Sequence, residues 1–373
     1  MNSAPLKILA VASLFALAAG ASADESGLRR LYDGSRSAEA PRFEAPRPET
    51  PPSAPIPDFR RPTVVPPELA AALPRVGIDA QLAKLGASSA ATFKFGVIGD
   101  AELGRFPWER IFTPGLNAFT DQMAALQAAA PDFILQLGDF VSEGVPENYL
   151  AHVAWMEASA HVPLLRCIGN HDRSRPNGDA DKNLYDAVFG PRDYYFDRGG
   201  WRFIALDSSD RKLTGSQLKW LKDALNSPAR KVIFTHVPPK YLKALKPLAA
   251  VGTLETTSEE YDTMQANDQK SGGIHDFFTN YFEDGSAEFD DLVSHGNVAA
   301  VYMGHIHAFW AADYKGVRYV ISGGGGSPLY PLPPGYPKKR FAHYMTVAAS
   351  PSGLVETIHP YHGSSFVLPP VKP

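Results

Sequence analysis

The stretch LLRCIGNHD, residues 164–172, decides how the rest of the chain is read. It closes an apolar run over 162–168 whose length and two-sided hydrophobicity suit a strand covered on both faces. It then turns at Gly169 and presents Asn170, His171 and Asp172 in succession. Outward from it, FGVIGDAE (95–102), FILQLGDF (133–140), KVIFTH (231–236) and VAAVYMGHIH (298–307) have the same grammar: an apolar run ending in residues that can bind a hard or borderline metal. In a parallel sheet the carboxyl ends of the strands share one edge, and ligands bind in the crevice there. Asp100, Asp139, Asn170, His236, His305 and His307 are therefore expected to converge in space. The glycines before Asp100, Asp139, Asn170 and His305 are expected to let the chain turn sharply and come close to a bound ion.

The flanking pattern predicts one α/β domain. Further strands are expected at 93–98, 201–206 and 232–234. Between the early strands, Leu116, Phe119, Met123, Leu126 and Ala130 share one helical face, and Tyr149, Val153 and Met156 mark a second helix opened by Pro146. Thr214-Gly-Ser-Gln217 reads as a capping box for a helix burying Leu218, Leu221 and Leu225. This alternation predicts βαβ units with parallel strands. After residue 307, strands at 308–314, 317–322, 344–348 and 354–359 joined by tight turns predict a mixed sheet. The polar segment 238–273 reads as a lid-like loop, and 69–85 as a short helix leading into the domain.

With GD twice, then GNHD, then GHIH in this order, the chain resembles the calcineurin-like metallophosphoesterase superfamily over about residues 93–359. The resemblance implies a four-layer αββα sandwich with mixed sheets and a dinuclear metal site at the strand ends. It also implies Asp100 and His307 as ligands of the first metal, and Asn170, His236 and His305 as ligands of the second. Asp139 would bridge both, and His171 would be the acid that protonates the leaving oxygen. Such a site takes two divalent ions (Mn, Fe, Mg or Zn). Two cations about 3.5–4 Å apart share a hydroxide that attacks phosphorus in line and offset charge on the leaving oxygen. Imidazole suits the acid because its unperturbed pKa lies near neutrality. Asp172 either orients His171 or serves as a capping or salt-bridging residue.

Two departures from the family pattern matter. Asp100-Ala101-Glu102 stands where the family carries Asp-x-His. Either Glu102 ligates through oxygen, enriching the first site in carboxylate for Mn, Mg or Fe, or it points elsewhere and the site is impaired. The second reading gives a rival function, a metal- or phosphate-binding member without catalysis. In Gly138-Asp-Phe-Val-Ser-Glu143-Gly144, Glu143 replaces the arginine of the protein phosphatases, which argues against phosphoprotein and for phosphodiester or small-molecule substrates. Phe140 and Ser142 match the tyrosine ligand of the acid phosphatases poorly. Arg105, Arg173 and Arg175 are the candidate phosphate contacts. Trp310, Tyr330 and Tyr336 either stack on a base or sugar or simply pack, and His275 is a weaker candidate contact. The run 323–326 reads as a tight loop flanking the cleft rather than an anion nest.

At the N-terminus, Lys7, an apolar stretch at 8–19 and Ala21-Ser22-Ala23 predict a signal peptide (1–23) cut after Ala23. Residues 24–67, with ten prolines from 41 onward, predict a Pro-rich spacer, followed by the domain at 68–373. The protein is thus expected to be secreted or periplasmic, acting on small-molecule or envelope phosphoesters. The net charge of −4 sets up no basic field for nucleic acid, and no later apolar stretch is long enough for a stable membrane span. Cys167 is the only cysteine, so intramolecular disulfides are excluded and a buried structural thiol is expected.

Overall fold

Period-two alternation in strand β1 (Phe93–Ile98) sets the layers. Phe93, Phe95 and Val97 face one buried core and Ile98 faces another. The computed structural model describes residues 63–102, 115–248, 281–329 and 340–371. The signal-peptide and most of the spacer stretch, Arg105, His275, Tyr330 and Tyr336 lie outside them.

Among the described residues, twelve strands form two six-stranded sheets. Besides β1 they are β2 (Phe133–Gln136), β3 (Leu164–Arg166), β4 (Tyr194–Arg198), β5 (Trp201–Leu206), β6 (Arg230–Thr235), β7 (Val298–Met303), β8 (Phe309–Tyr314), β9 (Val317–Ser322), β10 (His343–Ser350), β11 (Gly353–Pro360) and β12 (Phe366–Val367). The first sheet runs β12-β11-β10-β1-β2-β3 and the second β4-β5-β6-β7-β9-β8. Each has a parallel centre, β1-β2-β3 and β5-β6-β7-β9, with antiparallel strands added outside it. The mixed sheets implied by the resemblance are therefore present, and the parallel strands read from the alternation are divided between them as their two centres. The late strand β10 returns to pair antiparallel with β1, Phe93 opposite Ala349.

The core between the sheets is aromatic. Phe95 stacks on Phe133 at 5.4 Å, and Phe133 meets Phe203 edge-on at 5.0 Å. Each such buried ring contributes roughly 1.5–3 kcal/mol, which replaces the cross-links a single cysteine cannot make. Cys167 is buried, and burial pushes its thiol well up, as for a structural residue. The outer face of the first sheet is covered by helices α4 (Gly115–Ala128), α5 (Pro146–Ser159) and α6 (Asn183–Phe189), which contribute Phe119, Met123, Tyr149, Met156 and Val188. That of the second is covered by α7 (Gly215–Leu225) and α8 (Ser286–His295) through Leu221, Phe289 and Val293. The result is the expected αββα sandwich. Tyr302 of β7 donates to Glu356 of β11 at 2.8 Å, a buried polar tie between the sheets.

Local differences from the expectations have local causes. The helix expected at 69–85 is three, α1 (Pro67–Ala70), α2 (Leu73–Val76) and α3 (Ile78–Leu85), because Pro74 opens a new turn and Gly77 is extended. Packing begins before residue 68: Thr63 donates to Asp181 through both its backbone N–H and its hydroxyl. The segment expected as a structureless lid starts with a 3₁₀ turn, Lys240–Ala244, that buries Leu242; residues 249–273 lie outside the described residues. Trp310 is 2 % exposed within the core, so it packs and does not face a ligand. His152 is buried against the Arg166 guanidinium at 3.0 Å.

Candidate metal centre

The carboxyl edges of the two sheets are stitched together by the residues that follow β1, β2, β3, β6 and β7. Asp100 N–H donates to the Gly138 carbonyl at 3.3 Å and Glu102 N–H to that of Asp139 at 2.8 Å. Across the sheets, His305 N–H donates to Asp100 Oδ1 at 2.8 Å and His236 Nδ1 to the Leu137 carbonyl at 2.7 Å. The sandwich thus closes on its own ligand-bearing turns. Asp100, Glu102, Asp139 and His305 all hold left-handed backbone (φ 56°, 44°, 49° and 68°), a strained conformation for non-glycine residues that concentrates at functional sites.

The preceding glycines make room for neighbouring strand ends. A Cβ on Gly169 would lie 2.1 Å from Asp139 Oδ1, and one on Gly304 would lie 2.5 Å from Asp100 Oδ2. These close approaches are to the carboxylates that carry the candidate ligand oxygens.

Asp139 is common to three groups of side chains whose ligand atoms lie within 4.8 Å of one another: Asp139 with His236 and His305, Asp139 with Asp100 and His307, and Asp139 with Glu102 and His171. His236 Nε2 is 3.0 Å from Asp139 Oδ2 and 3.1 Å from Asn170 Oδ1. His307 Nε2 is 3.2 Å from Glu102 Oε1 and 3.6 Å from Asp100 Oδ1. Glu102 is 4 % exposed and points into the cluster.

These residues fit divalent cations. Asp100 Oδ2 is buried without a hydrogen-bond partner among the described residues, an expensive state for a carboxylate that a cation relieves. Protons carry the balancing charge otherwise. Burial alone would strip the proton from His236, but Asp139 outweighs it and pushes the imidazole up to about 9. Burial likewise opposes protonation of His307, and Glu102 overcomes it, again to about 9. Burial raises Asp100 to about 7 against the pull of His236 and His307. Asp139 stays well below the usual carboxylate range although burial opposes this, because His236 and His171 face it. Burial, aided by His236 and Arg211, keeps His305 neutral.

His171 lies at the edge of the cluster. Its N–H donates to Asp139 Oδ1 at 2.8 Å, and its ring Nδ1 is 2.7 Å from the Ser142 carbonyl. A carbonyl only accepts, so Nδ1 carries hydrogen and Nε2, 3.7 Å from Glu102, is the atom left to exchange a proton. Of the two roles left open for Asp172, the capping one is seen, and among the described residues its carboxylate makes no hydrogen bond to this ring. It caps backbone instead, with Oδ2 accepting from Gly169 (2.7 Å) and Asp139 (2.9 Å), and Oδ1 from Phe140 (3.0 Å) and Val141 (3.3 Å).

Arg173 is also corrected as a phosphate contact. It is buried and committed to Asp210 at 2.6 Å and to the Asn170 and Pro176 carbonyls. Arg175 is half-buried on the same loop. The glycine run packs behind Asp100, with Gly325 N–H donating to the Gly99 carbonyl at 2.7 Å. Sequence reading passed over Arg211, on the loop after β5. Its signal is present, since β5 is another apolar run ending at the same edge, but that run carries no metal ligand to draw attention.

Comparison with known proteins gives a family and several similar chains. The family model described as calcineurin-like phosphoesterase matches residues 93–309. A probable cyclic nucleotide phosphodiesterase of Synechococcus sp. is 32 % identical over 135 residues, covering 34 % of this chain and 50 % of that protein, so the match spans half the relative's length. Among solved structures, a dimetal phosphatase from Danio rerio is similar at 14 % identity with TM-score 0.47, covering 74 % of this chain and 98 % of that one. The inner-membrane-complex anchor GAP50 of Plasmodium is similar at 13 % identity with TM-score 0.46, covering 76 % and 90 %.

Proposed function

The chain belongs to the calcineurin-like phosphoesterase family, and from that membership we propose that it is an exported, metal-dependent hydrolase of small or envelope-derived phosphoesters, acting first on phosphodiesters. The observation that carries the reading is Asp139, one buried carboxylate shared by two ligand groups with an acid-capable imidazole beside it. The family uses divalent metals. When bound, two such cations supply Lewis-acid polarisation of the phosphoryl oxygens and an ionised water as nucleophile. Asp139, Asn170, His236 and His305 would hold one, and Asp100, Glu102, Asp139 and His307 the other.

The chain's own residues do the rest. His171 delivers a proton from Nε2 to the departing oxygen while the Ser142 carbonyl fixes its ring. Asp172 locks the Asp139 and Gly169 turns against each other, so the shared carboxylate and the acid keep their spacing. Glu102 adds a third carboxylate to the first group, which favours Mn²⁺ or Mg²⁺ there; its place in the cluster supports catalysis over the binding-only reading. Diester preference is supported by the Synechococcus relative's description and by exposed Glu143 in place of a phosphate-gripping arginine. Export rests on residues 7–23 of the sequence.

The test is hydrolysis of bis(p-nitrophenyl) phosphate and p-nitrophenyl phosphate with Mn²⁺, with chelator, and by Asp139→Asn. Turnover should need metal, fall at least about a hundredfold in the variant and favour the diester. Folded protein that binds two cations and turns over neither substrate would overturn the proposal.

A further inference from the structure

Beside the metal centre lies a polar cleft of about 310 Å³ whose walls are the loops after β3 and β5, lined by Arg173, Asn177, Asp179, Asp210, Arg211 and Lys212. Both walls are built directly on metal-ligand candidates. On one side Asn170 Nδ2 donates to the Pro176 carbonyl at 3.3 Å. On the other, Ser208 Oγ accepts from Val237 N–H at 2.7 Å, and Arg211 N–H closes a turn onto the Ser208 carbonyl at 2.8 Å. Asn170 and His236 meet at 3.1 Å, so the two walls are anchored on one ligand pair. The first wall also begins two residues after His171, the acid that faces the departing oxygen.

The cations around the cleft divide into two kinds. Arg173 and Lys182 are spent within the walls, on Asp210 at 2.6 and 2.9 Å, and Lys182 also on Asp207 at 2.6 Å. Arg211 and Lys212 are exposed and form no ion pair among the described residues; Arg211 makes one long contact to Asn177 Oδ1 at 3.4 Å. Asp210 is thus neutralised by the walls, and Asp179 alone leaves the two exposed cations in excess. Arg211 is moreover held in left-handed backbone, φ 57°, by its turn.

We propose that this cleft is the subsite for the departing group, and that it selects phosphoesters whose departing alcohol carries a second phosphate, held by Arg211 and Lys212. The inference rests on the phosphoesterase reading and deepens it to a substrate class. Guanidinium and ammonium together suit a phosphate's several acceptor oxygens, and a cleft of this size takes a small alcohol plus one phosphate.

The test uses the Mn²⁺-loaded full chain with bis(p-nitrophenyl) phosphate as reporter. The inhibition constants compared are those of methyl phosphate, propane-1,3-diol bisphosphate and 3-phosphooxypropionate. The bisphosphate should bind roughly tenfold tighter than methyl phosphate. Arg211→Gln with Lys212→Gln should erase that ratio, which is taken within each protein so that any effect of Arg211 on His305 cancels, and Arg211→Lys should keep part of it. Raising the ionic strength should shrink the ratio. Equal inhibition by the two phosphates, or a ratio that survives the double variant, overturns the subsite. An equal gain from the carboxylate analogue overturns the assignment to phosphate. Calorimetric binding of the same ligands separates the two readings. A reporter that is never hydrolysed while the bisphosphate still binds tighter sinks the phosphoesterase reading and leaves the subsite. A hydrolysed reporter with equal binding does the reverse.

Discussion

Two buried imidazoles, His236 and His307, carry protons up to about 9 because Asp139 and Glu102 face them at 3.0 and 3.2 Å. A metal ligand must be a neutral imidazole, so cation and proton compete for the same lone pairs. Metal uptake near neutral pH should release about two protons per chain from these rings and a fraction more from Asp100, held near 7, and apparent affinity should climb with pH until it levels near 9. Calorimetry in buffers of different ionisation enthalpy reads both effects; uptake without proton release would show that these rings are not ligands. Glu102 makes a separate demand at this scale. In its position a carboxylate gives the first group three anionic oxygens and one nitrogen, whereas the second group has one carboxylate, one amide oxygen and two nitrogens. Glu102→His should move the Mn²⁺/Zn²⁺ preference towards Zn²⁺ by roughly tenfold, measured as metal content after dialysis against both ions. An unchanged ratio would remove Glu102 from the ligand set.

Turns and caps act at the scale of elements, and they separate stability from function. Gly169 sits where the β3 turn crosses the β2 turn, and an added Cβ would lie 2.1 Å from Asp139 Oδ1 and 2.3 Å from Asp139 N. Backbone cannot swing aside as a flexible side chain can, so Gly169→Ala should displace the shared carboxylate and weaken metal binding, beyond an overpacking cost of about 1–3 kcal/mol. Thr214 offers the contrast. It closes a capping box with Gln217 on α7, far along the chain from any ligand turn. Thr214→Ala should cost about 1 kcal/mol of stability and leave metal affinity where it was. Denaturant titration and metal titration of the two variants form one experiment, and a Gly169→Ala protein with native affinity would refute the crowding argument. The same turn logic explains Asp172. Its carboxylate takes four backbone donors from two turns, a task the sequence could not distinguish from orienting His171, because the choice depends on which way the carboxylate points after the turn.

For the whole molecule, burial of neutral histidines ties stability to pH. Burial pushes His343 down to about 4, and burial aided by cationic Arg166 holds His152 well below its usual value. Unfolding restores ordinary imidazoles near ~6.5, so the unfolded chain binds more protons wherever pH lies below that value. Stability is fully present above about 6.5 and should fall by about 1.4 kcal/mol per pH unit for each group as pH drops towards 4. Asp100 and Asp172, held near 7 by burial, gain protons in the folded chain over the same range and act in the opposite sense. The histidine contribution is therefore read as a difference. In thermal melts in chelator from pH 7 to 4.5, His343→Gln should lose less stability on acidification than the parent; parallel profiles would assign the acid sensitivity elsewhere. How much of all this was written in the sequence follows from the range of the forces involved. Strand runs, helical stripes, the Thr214 box and the GD, GNHD and GHIH turns are local patterns, and each residue's neighbours in sequence suffice to read them. They determined an α/β chain with candidate ligands at strand ends, and through resemblance the layered sandwich and the metallophosphoesterase family. Four matters waited for tertiary structure: the return of β10 to β1, Glu102 turning inward onto His307, Arg173 being consumed by Asp210, and Arg211 and Lys212 being left over at the cleft. Each depends on which of several distant groups of suitable charge or shape comes within a few ångströms. Composition and spacing do not encode that distance, and only the packed sheets and their crossing turns decide it.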